Sequence, residues 1–140
     1  MSSFTAAYDG VDLDASALSV GLCGLLRPDD ERFTSTVGAV EEHLLNGPTV
    51  YRYRSDDGLP GFEGGFHLCT SWLVEAFLLV GRTEDARHLF NDMIALVGPT
   101  GMLSEQYGPK TKRALGNTPQ AYSHVGVIEG ALRLARIAQQ

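Results

Sequence analysis

The sequence is poor in cysteine and in basic residues, and it has no long apolar run. Two cysteines, Cys23 and Cys69, in 140 residues supply neither a disulfide framework nor a zinc-ligand set. Both are expected to be reduced and to pack as small buried hydrophobes. His43, His67 and His88 show no ligand-like grouping, so no metal or other cofactor is expected. Eleven Lys and Arg against seventeen Asp and Glu leave a formal net charge of −6. An acidic chain without a basic run is unsuited to nucleic acid or to an anionic membrane. No stretch nears the roughly 20 apolar residues that a spanning helix needs. The opening Met1-Ser-Ser-Phe-Thr lacks the basic and apolar regions of a secretion signal. A cytoplasmic location is therefore expected. Strand signals are scarce too: Val50 to Tyr53 is a short extended candidate with little around it to pair with.

Core-forming material is plentiful by contrast. The chain is 44% hydrophobic and has six Phe, five Tyr and one Trp, which excludes a disordered tail. A single domain of this length buries roughly 68–70% of the surface its unfolded chain exposes.

Apolar spacing of three and four residues predicts five helices. The first runs from Asp14 to Leu26 (Ala15, Leu18, Leu22, Leu25, Leu26) and stops before Pro28. The second runs from Arg32 to Leu45 (Phe33, Val37, Val40, Leu44) and stops at Gly47-Pro48. The third, Cys69 to Val80, is apolar nearly all round and ends at Gly81. The fourth, Thr83 to Val97, has Thr83 as its expected cap, Glu84 and Asp85 at the positive end of the dipole, and one stripe of Ala86, Leu89, Phe90, Met93, Ile94 and Val97. The fifth, Ser123 to Ala138, carries Val125, Ile128, Ala131, Leu132 and Ala135 on one face. The fold class is all-α.

Helices one, three and five begin near residues 14, 69 and 123, a repeat of about 54–55 residues. Helices one and three are the more uniformly apolar; two and four are amphipathic. A helix apolar all round is buried on every side, whereas an amphipathic one covers a core. The chain therefore alternates inner and outer helices, as stacked αα-hairpins do in a solenoid or a toroid. Short links (27–31 and 81–82) alternate with long ones (46–68 and 98–122). Both long links emerge at one end of the stack, and long irregular loops in compact domains usually carry function.

The first long link holds Tyr51-Arg52-Tyr53-Arg54, Asp56-Asp57-Gly58 and Gly61-Phe62-Glu63-Gly64-Gly65-Phe66. The second holds Leu103-Ser104-Glu105-Gln106-Tyr107 and Gly116-Asn117-Thr118-Pro119-Gln120-Ala121-Tyr122-Ser123-His124. Carboxylates, amides, aromatics and arginine beside glycines suit a neutral polyhydroxylated ligand. Aromatic faces stack on sugar rings, and planar polar groups bond vicinal hydroxyls. Cleavage of a glycosidic bond needs two carboxyl groups flanking it.

Four ordered motifs then carry a family resemblance: Glu63-Gly-Gly-Phe-His-Leu-Cys-Thr-Ser-Trp72, Gly81-Arg-Thr-Glu-Asp-Ala-Arg87, Gly101-Met-Leu-Ser-Glu105-Gln-Tyr-Gly-Pro109 and Gly116-Asn-Thr-Pro-Gln-Ala-Tyr-Ser-His124. Together they resemble the C-terminal part of the catalytic domain of glycoside hydrolase family 15, which includes glucoamylases, glucodextranases and trehalases. The resemblance spans nearly the whole chain, from Leu13-Asp-Ala-Ser16 onward. It implies an (α/α)6 toroid (the six-hairpin fold), an α-glucoside or oligosaccharide substrate, and hydrolysis with inversion. By position, Glu105 matches the family's general base and Arg52 a substrate-binding arginine. Gln106, Tyr107, Tyr122, Ser123 and His124 are expected to line the same pocket, with Glu63 in a binding role.

Bland roles stand beside these. Arg52 also suits an ion pair with Asp56 or Asp57. Glu63 also suits holding backbone N–H groups of the glycine loop, and His124 a hydrogen bond at the start of its helix. Trp72 and Phe77 read as core rather than as sugar platforms.

One departure concerns the general acid. In the family it lies upstream in a Gly-Ile-Trp-Glu-like segment, and no such segment occurs here, where Trp72 is the one tryptophan. Five helices are also fewer than half of a toroid's twelve. Residues 1–140 are thus expected to be one domain, the incomplete C-terminal segment of such a catalytic domain and inactive alone. Such a segment would leave part of its third helix exposed, ready for self-association or for pairing with the missing half of the toroid. The competing reading is a noncatalytic helical-repeat module that binds a partner or itself.

Overall fold

The computed structural model describes residues 3–55, 58 and 63–139. A short 3-10 helix, Ala15–Leu18, leads into α1, Ser19–Leu22. There follow α2, Glu31–Leu44; β1, Leu45–Asn46; β2, Thr49–Val50; β3, Gly65–Phe66; α3, His67–Leu79; α4, Thr83–Ile94; β4, Gln106–Gly108; β5, Arg113–Leu115; and α5, Ala121–Ile137.

Helix α3 is the central element. It packs against α1 and the 3-10 turn on one side, α5 on the other, and also against α2, α4, β2 and β3. Its low amphipathicity explains that place: Cys69, Leu73, Val74, Ala76 and Phe77 are all buried, in one cluster with Leu18, Phe33, Val37, Val40, Leu44, Ala86 and Leu89. None of its residues is fully exposed, and Leu68, Trp72, Leu78 and Leu79 are half-buried. A run of open apolar residues lies on α5, where Tyr122, Val125, Ile128 and Leu132 are exposed. Helix α5 has two faces. Its small residues Ser123, Gly126 and Gly130 are buried, with Gly126 against Ser71 and Gly130 against Phe90. The large apolar residues that the periodicity singled out lie on the other side. Among the described residues, no helix is long and apolar enough to cross a membrane.

Other boundaries differ from the sequence reading for local reasons. The first helix ends at Leu22, not Leu26. Gly24 takes a left-handed φ of 77°, which stops the helix as a C-terminal glycine does. Leu25 is left exposed, and so is Cys23, which is not the buried hydrophobe expected. Helix α2 starts at the cap Asp30, whose carboxylate accepts from Arg32 N at 2.9 Å. Thr83 does not cap α4: Arg82 holds that position, without a side-chain cap bond. Arg82 instead forks onto Glu41 of α2 at 2.6 and 2.8 Å and reaches Asp85 at 2.6 Å, while lying 4.3 Å from the Phe77 ring centre. It thereby ties α2, α3 and α4 together.

A small sheet went unforeseen. All five strands pair antiparallel in the order β1-β2-β3-β4-β5. They are two or three residues long, too short for a period-two pattern to show. The β3–β4 pairing, Gly65 opposite Tyr107 and Phe66 opposite Gln106, joins the two long links to each other.

Candidate active site

The joint between the links depends on two glycines. A Cβ on Gly64 would strike the Tyr107 carbonyl, and one on Gly65 would strike Thr49. Only a bare backbone lets β3 pass between β2 and β4. Gly64 N also donates to Gln106 Oε1 at 2.8 Å.

The segment carrying Glu105 is stitched to the start of α5. Gln120 N donates to Leu103 O at 2.9 Å, Leu103 N to His124 Nε2 at 3.2 Å, and Ser123 Oγ to Ser104 O at 2.7 Å. Ser104 Oγ in turn donates to Gln106 O at 2.7 Å. His67, at the start of α3, donates its N–H to Glu105 O at 3.2 Å, and Glu105 N donates to Asn117 O at 2.9 Å. The Glu105 carboxylate is half-buried. Its Oε2 accepts from Asn117 N at 3.2 Å and from Asn117 Nδ2 at 3.1 Å.

Across from this segment, Arg52 stands where the first long link leaves β2. Its Nε lies 3.4 Å from Asp14 Oδ2, and its carbonyl accepts from Ala15 N at 2.8 Å. The alternative partners Asp56 and Asp57 lie outside the described residues, as do Gly61 and Phe62.

Arg52 and Glu105 line one cleft of about 280 Å³, with Phe66, Leu68, Cys69, Trp72, Gln120, Tyr122 and Ser123. Of the residues expected there, Arg52, Glu105, Tyr122 and Ser123 are among the lining. Gln106 and His124 are not: their side chains hold Gly64 and Leu103. Tyr107 is paired within β4 and likewise does not line it. Glu63 is exposed and near enough for its charge to act on Cys69. Trp72 is half-buried; it packs on the core, as expected, and also lines the cleft.

Cys69 is buried in the cleft wall and feels charges of both signs. Burial pushes the Cys69 thiol up to about 12, Asp14 and Glu63 push the same way, and Arg52 opposes them. The thiol is therefore a neutral wall group, not a nucleophile. Burial holds His67 down at about 4, so it is neutral at physiological pH. Among the described residues, no three His, Cys, Asp or Glu cluster as metal ligands would. Among the described residues, the cleft lining offers a carboxylate, a guanidinium and aromatic side chains, groups that can bond hydroxyls and move a proton.

Sequence comparison decides the family. The profile of "Glycosyl hydrolases family 15" matches residues 2–132. The chain belongs to this family. Family relatives include a trehalase from Mycobacterium tuberculosis, 37% identical over 98% of this chain and 21% of the relative. A trehalase from Thermoplasma acidophilum is 39% identical over 94% of this chain and 23% of the relative. Among solved structures, a wild-type glycosidase superposes with a TM-score of 0.83 at 23% identity, covering 96% of this chain and 39% of that one. A variant of a glycosidase in complex with glucose matches equally well. The αα-hairpins are thus part of an (α/α)6 toroid, and this chain also carries a small sheet. The chain spans about a fifth of the length of these trehalases.

Sequence reasoning missed Asn117, Asp14 and the wall residues Phe66, Leu68, Cys69 and Gln120. Asn117 follows a glycine in a polar link, and Asp14 reads as a helix-start residue. Neither signal says which distant side chain it meets.

Proposed function

We propose that residues 1–140 form the C-terminal segment of a trehalase- or glucoamylase-like catalytic domain that hydrolyses an α-glucosidic bond with inversion. The observation that carries this reading is that Glu105 and Arg52, from two different links, line the same cleft beside Trp72 and Tyr122. In this account Arg52 bonds the hydroxyls of the sugar on the glycone side, while the aromatic walls exclude water. Glu105 takes a proton from a water on the far side of the anomeric carbon. The water oxygen bonds to that carbon, the glycosidic C–O bond breaks, and the departing oxygen takes its proton from a carboxylic acid. That acid belongs to the part of the domain outside this chain. The match to trehalases at 37–39% identity favours trehalose as substrate.

The exposed stripe of α5, Val125, Ile128 and Leu132, is the edge at which the remaining helices of the toroid pack. A contiguous apolar face of this kind marks a partner surface.

The test is hydrolysis of trehalose, maltose and isomaltose by the chain alone. General acid catalysis is worth about 10²–10⁴-fold, so turnover without the acid stays near background. Robust hydrolysis that survives Glu105→Gln would overturn the assignment of the base.

A further inference from the structure

We propose that Asp14 is a positioning residue: through its ion pair it sets the guanidinium of Arg52 in the cleft. This rests on the reading of the cleft as a sugar site. Each oxygen of Asp14 has its own task. Oδ1 accepts from Ser16 N at 2.8 Å and caps the 3-10 turn. Oδ2 stands 3.4 Å from Arg52 Nε. The backbone repeats the link one residue on, where the fully buried Ala15 donates its N–H to the Arg52 carbonyl at 2.8 Å. A long side chain, 52% exposed, is thus tied at its root to Ala15 and at Nε to Asp14, whose side chain is 15% exposed. Both charges act on the Cys69 thiol, which lines the same cleft. An arginine has many rotamers, and holding one of them before ligand arrives removes that ordering cost from binding. With Nε turned to Asp14, the two terminal nitrogens carry the fork's remaining donors, the geometry that suits vicinal hydroxyls.

A plain helix-cap role is the competing account, and asparagine separates the two. Asn caps as well as Asp but carries no charge. The full chain is compared with Asp14→Asn by thermal unfolding, by the Nε–Hε resonance of Arg52, and by glucose titration, with Arg52→Gln as control. The expected result is unchanged unfolding, a displaced and more mobile Arg52 resonance, and glucose binding about two- to fivefold weaker. An Arg52 resonance unmoved by Asp14→Asn would overturn the proposal and leave Asp14 a cap. If Asp14→Asn does not fold, Asp14→Ser, which also caps, is read in the same way. The resonance needs no sugar. If it moves while the unaltered chain binds no glucose, the positioning stands and the sugar reading fails.

Discussion

Asn117 meets Glu105 three times: its N–H and its Nδ2 both donate to Oε2, and its carbonyl accepts from Glu105 N. The carboxylate is therefore oriented by one residue from the opposite turn of the same link. With Oε2 occupied by two donors, Oε1 is the oxygen that the proposed function would use to take a proton from water. Asn117→Ala removes one of those donors and keeps the backbone one. It is expected to cost about 0.5–1.5 kcal/mol of stability and to weaken glucose binding. Gly116→Ala is expected to be worse. Gly116 has a φ of 72°, and a Cβ there would lie 2.6 Å from Glu105 Oε2. Urea unfolding beside a glucose titration checks both; a Gly116→Ala chain that binds and unfolds normally would contradict the arrangement.

The packing of α5 makes a sharper stability prediction. A Cβ on Gly126 would come within 2.5 Å of Ser71 Oγ and 2.6 Å of Ser71 Cβ. In a free helix alanine is better than glycine by about 0.8–1 kcal/mol. Here overpacking, at about 1–3 kcal/mol, outweighs that gain. Gly126→Ala should lower the unfolding midpoint, and Ser71→Gly should recover part of the loss in the double variant. A stabilised Gly126→Ala would show that α3 and α5 are not this close.

Acid should weaken the fold through His67. Its folded value of about 4 lies below the ordinary 6.5, so the unfolded chain protonates first as pH falls. The contribution is full above about pH 6.5 and is lost progressively down to about pH 4, by at most about 3 kcal/mol. Glu75 acts in the opposite sense. Burial raises its carboxyl, Glu129 adds to that, and Arg133, 3.1 Å away, opposes it. A raised carboxyl favours the folded state as pH falls. The difference between the unaltered chain and His67→Leu isolates the histidine: the variant's stability should be flatter between pH 6.5 and 4. Parallel curves would contradict a buried neutral His67.

Ile128 tests the open edge. It is 58% exposed, so Ile128→Lys should change stability by no more than about 0.5 kcal/mol, while making the chain more soluble. A large loss of stability would mean that the stripe is buried within this chain.

Long-period features were readable from the sequence; short and reciprocal ones were not. The apolar circumference of α3 announced its central place, and the 54–55-residue repeat announced the inner and outer helices. The stripe of α5 was visible too, but periodicity cannot tell which of two faces meets the core. Gly126 and Gly130 decide it, because close approach to Ser71 and Phe90 is open only to the bare side of the helix. Strands of two or three residues leave no alternation to read, so the sheet that joins the links stayed hidden. In the cleft, Glu105 and Arg52 were legible through their motifs. Motifs could not show that the Gln106 amide and the His124 imidazole hold the backbone at Gly64 and Leu103, because an amide or imidazole in such a motif can equally bond a ligand or the backbone. Asp14 was invisible as a partner of Arg52 because 38 residues of sequence separate them.

The most direct measurement is a titration of the isotope-labelled chain with glucose and with trehalose, followed by amide and side-chain resonances. The account predicts weak, saturable shifts confined to Arg52, Glu105, the Trp72 indole and Tyr122, abolished together by Arg52→Gln. Shifts that cluster elsewhere on the chain, or none with either sugar, would contradict it.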